Sequence, residues 1–105
     1  MKRVMVRYRV KPDRVAENEK YVKAVFEQLN RERPAGLRYA SFKLEDGVSF
    51  VHLVWVDGAD DPLREVAAFG AFTAGIKSRC DEPPIAVNLT EVGSYGFKSA
   101  VSDVL

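Results

Sequence analysis

Histidine, cysteine and tryptophan occur once each, as His52, Cys80 and Trp55. A lone cysteine forms no internal disulfide, and without an H-x-x-H or C-x-x-C spacing no metal site can be assembled from the sequence. No apolar run approaches the roughly 18 residues that span a bilayer. The opening M-K-R-V-M-V-R-Y-R is charged where a secretory signal needs an apolar core, so the expected compartment is the cytoplasm. An excess of one charge is also lacking: 16 basic residues against 15 acidic ones give a net charge of +1, and neither sign forms a long run. Nucleic acid and membrane surfaces are therefore not expected partners. No glycine-rich phosphate loop is present, since Gly70 and Gly75 lie in a helical pattern and Gly93 and Gly96 follow a strand with no helix behind them. Repeats and low-complexity segments are absent as well. These absences leave one domain over residues 1–105, large enough to bury an ordinary core without staples, and with no expected cofactor.

What is present is organised around residues 49–57, S-F-V-H-L-V-W-V-D, which are β-branched or aromatic nearly throughout and predict a central strand. Residues 37–45 precede it across Asp46-Gly47, a pair suited to a two-residue hairpin turn of type I′. That turn sets Phe42 opposite Val51, Ser41 opposite His52, Ala40 opposite Leu53 and Tyr39 opposite Val54. Upstream, residues 3–10 alternate as a strand, and Pro12 and Asp13 stop it and begin a helix over about 14–33. Val15, Val22, Val25, Phe26 and Leu29 form that helix's apolar stripe. Downstream, Asp61 as N-cap and Pro62 as first residue start a second helix over about 62–79. Its bulky stripe is Val66, Phe69, Phe72, Thr73 and Ile76, beside a run of Ala and Gly that permits close packing or leaves room for a ligand. A fourth strand is expected over 85–92, and residues 97–105 form a tail.

The order β-α-β-β-α-β is the split pattern of ferredoxin-like α+β folds, an antiparallel four-stranded sheet with both helices on one face. Val51, Leu53 and Trp55 are the most apolar alternating set, so the expectation is that they face the helices with Val4, Val6, Tyr8 and Phe42, with Trp55 near Phe69 or Phe72. The opposite face would then carry Met5, Arg7, Arg9, Tyr39, Ser41, Phe50, His52, Val54 and Val56. That is too much apolar area to leave to water, and a homodimer burying Met5, Phe50, Val54 and Val56 is expected to cover it.

With its short basic strand, long first helix, D-G hairpin into V-H-L-V-W-V and the helix A-A-F-G-A-F-T-A, the chain resembles the antibiotic biosynthesis monooxygenase (ABM) type domain of the dimeric α/β barrel superfamily over residues 3–96. The resemblance implies a homodimer whose sheets face each other and, in active relatives, cofactor-free oxygenation or haem degradation in a pocket between sheet and helices. Two functions follow as expectations: a cofactor-independent monooxygenase acting on an aromatic or quinonoid metabolite, or a non-catalytic dimeric domain that binds a small molecule or serves as an accessory. The catalytic candidates are His52, the one side chain that titrates near neutrality, with Tyr39 and Trp55 to orient substrate. Tyr8, Phe42, Phe69 and Phe72 are candidates for an aromatic substrate pocket, and Arg7 for an anionic group of the ligand. Each has a plainer reading: His52 as a hydrogen-bonded interface residue opposite Ser41, the aromatic rings as core, and Arg7 and Arg9 as interface ion-pair partners. Cys80 precedes Asp81 and Glu82, an acidic setting that raises a thiol pKa, and is expected to be inert.

Overall fold

In the computed structural model, which describes residues 1–97, β1 (Lys2–Val10) leads into α1 (Val15–Glu32) through a 3-10 turn at Pro12–Arg14. Proline cannot extend the β ladder but fits the start of a helix, so the chain changes direction there. Helix α1 ends where Arg33 enters the left-handed region at φ 51° and its N–H donates to Leu29 O, and Pro34 prevents any continuation. Strands β2 (Leu37–Lys43) and β3 (Ser49–Val56) then form the hairpin in the expected register, with Tyr39 against Val54, Ser41 against His52 and Phe42 against Val51.

The turn itself differs from type I′. Only Gly47 has positive φ, at 78°. Its N–H donates to Leu44 O, while Asp46 accepts from Val48 N–H, Ser49 N–H and the Ser49 hydroxyl. The carboxylate thus organises a wider loop, and these bonds hold its pKa down to about 2.

Beyond β3 the expected single helix is three pieces: a 3-10 turn at Pro62–Glu65, α2 (Ala67–Ala74) and α3 (Ile76–Arg79). Asp61 caps the first piece as expected, accepting from Leu63 N–H at 2.9 Å. Val66 then turns extended, which lets both Leu63 and Val66 bury their side chains. The second break is at Gly75, where an added Cβ would lie 3.3 Å from the Arg79 guanidinium. The small residues Ala67, Gly70, Ala71 and Ala74 point mostly to solvent, so neither close packing nor ligand space explains them. Strand β4 spans Cys80–Asn88, starting five residues before the expected boundary. Its Pro83 and Pro84 are tolerated because β4 is the outermost strand, where a missing N–H breaks no inner ladder, and its pairing with β1 shifts register around Arg9.

The sheet order is β2-β3-β1-β4 with antiparallel pairings throughout, and the helices pack on one face, as a ferredoxin-like α+β fold requires. The face assignment, however, is reversed for the hairpin. Tyr8 pairs with Phe50 and Val6 with His52, and directly opposed residues share a face, so the even-numbered residues of β3 join Val6, Tyr8 and Val10 under the helices. Phe50, His52 and Val56 are each under 5% exposed. Val51, Leu53, Trp55 and Phe42 lie on the uncovered face with Met5, Arg7, Ile85 and Val87. Counting apolar side chains misjudged the faces because the polar atoms of Tyr8, Tyr39, Ser41 and His52 satisfy one another and so bury at low cost. The expected tail falls mainly on residues 98–105, outside the described residues.

Candidate functional site

His52 projects from the middle of β3 into the space between sheet and helices. Register puts Ser41 of β2 directly beside it, Tyr8 on the β1 side and Tyr39 two residues along β2. Both ring nitrogens are engaged: Nε2 with Tyr8 Oη at 2.8 Å and Ser41 Oγ at 3.2 Å, and Nδ1 with Tyr39 Oη at 2.6 Å. Phe72 of α2 stacks on the imidazole at 5.4 Å between centroids and 20° between planes, and Phe50 stacks on Tyr8.

Behind Tyr8 the network continues. Asn18 of α1 donates from Nδ2 to Tyr8 Oη at 2.9 Å, and Arg79 of α3 donates from Nε to Asn18 Oδ1 at 3.3 Å and from Nη2 to Phe72 O at 2.7 Å. Arg79 is 1% exposed. Its guanidinium lies 4.5 Å from the Tyr21 ring centroid, so π density stabilises the buried cation where no carboxylate reaches hydrogen-bonding distance among the described residues.

Beside this network is a cavity of about 290 Å³ lined by Tyr8, Tyr39, His52, Phe69, Phe72 and Ile76, with Lys77, Thr73 and Pro84 also in its wall. It is mostly apolar, with polar groups along the Tyr8, His52 and Tyr39 edge and at Thr73 and Lys77. Burial pushes the His52 pKa down to about 4 and pushes both phenols up, so at neutral pH all three groups are uncharged. Apart from the exposed Lys77, the wall therefore offers directed hydrogen bonds and aromatic faces rather than fixed charge. Its size suits a ligand of two or three fused rings, near the lower end of ordinary small-molecule pockets. Among the described residues no group of three or more His, Cys, Asp or Glu could hold a metal.

Of the residues singled out in the sequence, His52, Tyr39, Tyr8, Phe69 and Phe72 meet in this cavity. Trp55, Phe42 and Arg7 do not: alternation sends them through the sheet to the uncovered face, where the Arg38 guanidinium sits 5.9 Å from the Trp55 ring. Trp55 consequently cannot orient a ligand beside His52, nor can Arg7 pair with its anionic group. Cys80 is buried, and burial raises its thiol pKa.

Two network residues escaped notice in the sequence. Asn18 lies three residues after Val15 and four before Val22, on the apolar stripe of α1, and Arg79 lies three after Ile76 and seven after Phe72. A polar residue on each of two facing apolar stripes was the available signal.

No protein-family model and no curated protein sequence matches the chain. Solved structures do match in fold. One is described as "Putative antibiotic biosynthesis monooxygenase from Nitrosomonas europaea"; it aligns over 89% of this chain and all of its own, with a TM-score of 0.72 and 17% identity. A Caulobacter crescentus protein described in the same terms aligns over 88% of this chain and 90% of its own, with a TM-score of 0.66 and 21% identity. Rv0793 from Mycobacterium tuberculosis gives 0.68 and 18% over 89% and 96%. Architecture and these likenesses together place the chain in the fold of the ABM-like domains.

Proposed function

We propose that the protein is a small homodimeric ABM-like domain that oxygenates an aromatic or quinonoid metabolite without a cofactor, in the cavity under its helices. The observation that carries this reading is the neutral Tyr8, His52 and Tyr39 edge set in a mostly apolar, aromatic wall. A substrate whose ring CH2 is conjugated through fused aromatic rings to a carbonyl, as in anthrone, can reduce oxygen itself. Loss of the C–H proton gives an enolate, whose negative oxygen is stabilised by a phenolic O–H of the wall. The carbanion passes electrons to O2, a C–O bond forms, and loss of water from the peroxide leaves a carbonyl. CH2 plus O2 becomes C=O plus H2O, so no external reductant enters. His52, neutral at pH 7, takes that proton at Nε2 as the Tyr8 and Ser41 hydroxyls give way to the substrate C–H, and the apolar rings keep bulk water away.

The homodimer rests on the uncovered face, where Phe42 is 52%, Ile85 65% and Val87 41% exposed beside the half-buried Met5, Val51, Leu53 and Trp55. A second copy burying about 1,600 Å² would remove that area from water.

Oxygen uptake with anthrone, above its spontaneous rate, tests the catalytic reading. Activity lost in His52→Phe supports it, and wild-type uptake no faster than buffer contradicts it. The second reading, a binding domain without turnover, is favoured by the engagement of both His52 nitrogens and the imidazole's low basicity. It predicts saturable binding of the same ring system with no oxygen uptake.

A further inference from the structure

The hydrogen-bond chain from Arg79 to Tyr39 has a direction, and that direction starts at a group with no choice. A guanidinium only donates, so Arg79 Nε fixes Asn18 with Oδ1 toward it and Nδ2 toward Tyr8. Tyr8 Oη therefore accepts from Asn18, and its own hydrogen has one acceptor within reach, His52 Nε2 at 2.8 Å. With Nε2 accepting, the imidazole hydrogen resides on Nδ1 and is donated to Tyr39 Oη at 2.6 Å. Ser41 can also donate to Nε2.

The other tautomer leaves the Tyr8 hydrogen without an acceptor at a residue only 1% exposed. In either tautomer one phenolic hydrogen is left over, and placing it on Tyr39 costs less. Tyr39 is the less buried phenol, lies in the cavity wall and has no other hydrogen-bond partner among the described residues.

We propose that Arg79 and Asn18 are positioning residues that hold His52 as its Nδ1–H tautomer, so that Tyr39 presents a free O–H to the cavity and selects a planar aromatic ligand carrying an acceptor oxygen, such as an aryl ketone or quinone, over its hydrocarbon parent. The ligand class rests on the aromatic-pocket reading above; the tautomer does not.

Two measurements on the full chain separate them. In protein labelled with 15N at histidine, the ring nitrogen that shows one-bond coupling to hydrogen identifies the tautomer. The expected result is Nδ1–H in the wild type and Nε2–H in Asn18→Asp, because an aspartate still faces Arg79 but accepts from Tyr8 and reverses the chain. Titration with 1,4-naphthoquinone and naphthalene should show about tenfold tighter binding of the quinone, the worth of one good hydrogen bond. In Tyr39→Phe that preference should disappear while naphthalene affinity stays within about twofold.

A wild-type Nε2–H ring, or an unchanged tautomer in a folded Asn18→Asp protein, overturns the relay whatever binds. A quinone preference that survives in Tyr39→Phe overturns Tyr39 as the selecting donor. If neither probe binds while the ring is Nδ1–H, the ligand class falls together with the aromatic-pocket reading and the relay stands.

Discussion

His52 is buried because four polar side chains cancel one another's need for water, and this has a consequence that pH reveals. Its pKa lies near 4 in the folded protein against about 6.5 when unfolded. Between those values the unfolded chain binds more protons, so stability is fully present above pH 6.5 and declines as pH falls toward 4. A displacement of that size corresponds to about 3 kcal/mol over the window. Urea denaturation at a series of pH values should show a steeper loss between pH 6.5 and 4 in the wild type than in His52→Phe; parallel profiles would mean the imidazole is not buried neutral. The sequence identified His52 as the chain's one titrating group near neutrality and placed Ser41 against it. It did not disclose Asn18 and Arg79, because a polar residue on an apolar stripe becomes meaningful only when the facing element supplies its partner. Trp55 was misplaced for the opposite reason: hydrophobicity alone ranked its face as the interior.

At the scale of elements, local chemistry was legible wherever one residue dictates the backbone. The hairpin register, the Asp61 cap and the stop before Pro34 all follow from such residues. The turn type was not, since Asp46 bonds forward to Val48 and Ser49 and draws the loop wider than two residues. Gly47 remains necessary, with φ at 78° and nothing within 4 Å of the place a Cβ would occupy. Gly47→Ala should therefore cost about 1 kcal/mol through backbone strain alone. Gly47→Asn should cost less, and equal urea midpoints for the glycine and alanine proteins would contradict a left-handed requirement there. The breaks at Val66 and Gly75 were hidden because they serve tertiary packing: the burial of Leu63 and Val66, and room for Arg79.

For the whole molecule, the sheet separates two roles. The covered face holds the cavity, and the uncovered face carries Met5, Val51, Leu53, Trp55 and Phe42, which the proposed dimer would bury. An acidic residue at the middle of that face, Leu53→Asp, should produce monomers in sedimentation velocity at micromolar concentration while naphthoquinone still binds under the helices. A wild-type protein that is itself monomeric at that concentration would remove the dimer from the account but leave the cavity intact. The topology was legible because element order and the rule of right-handed crossovers leave few alternatives. Which face the helices cover was not, because it depends on how β1 and β3 register across the 38 residues between them.

The central claim is that ligand chemistry takes place under the helices, against His52, and not on the uncovered face. Chemical-shift mapping with 1,4-naphthoquinone tests it directly. The account predicts saturable shifts at Tyr8, Tyr39, His52, Phe69 and Phe72, with Leu53, Trp55 and Phe42 unmoved; shifts confined to Leu53, Trp55 and Phe42 would contradict it.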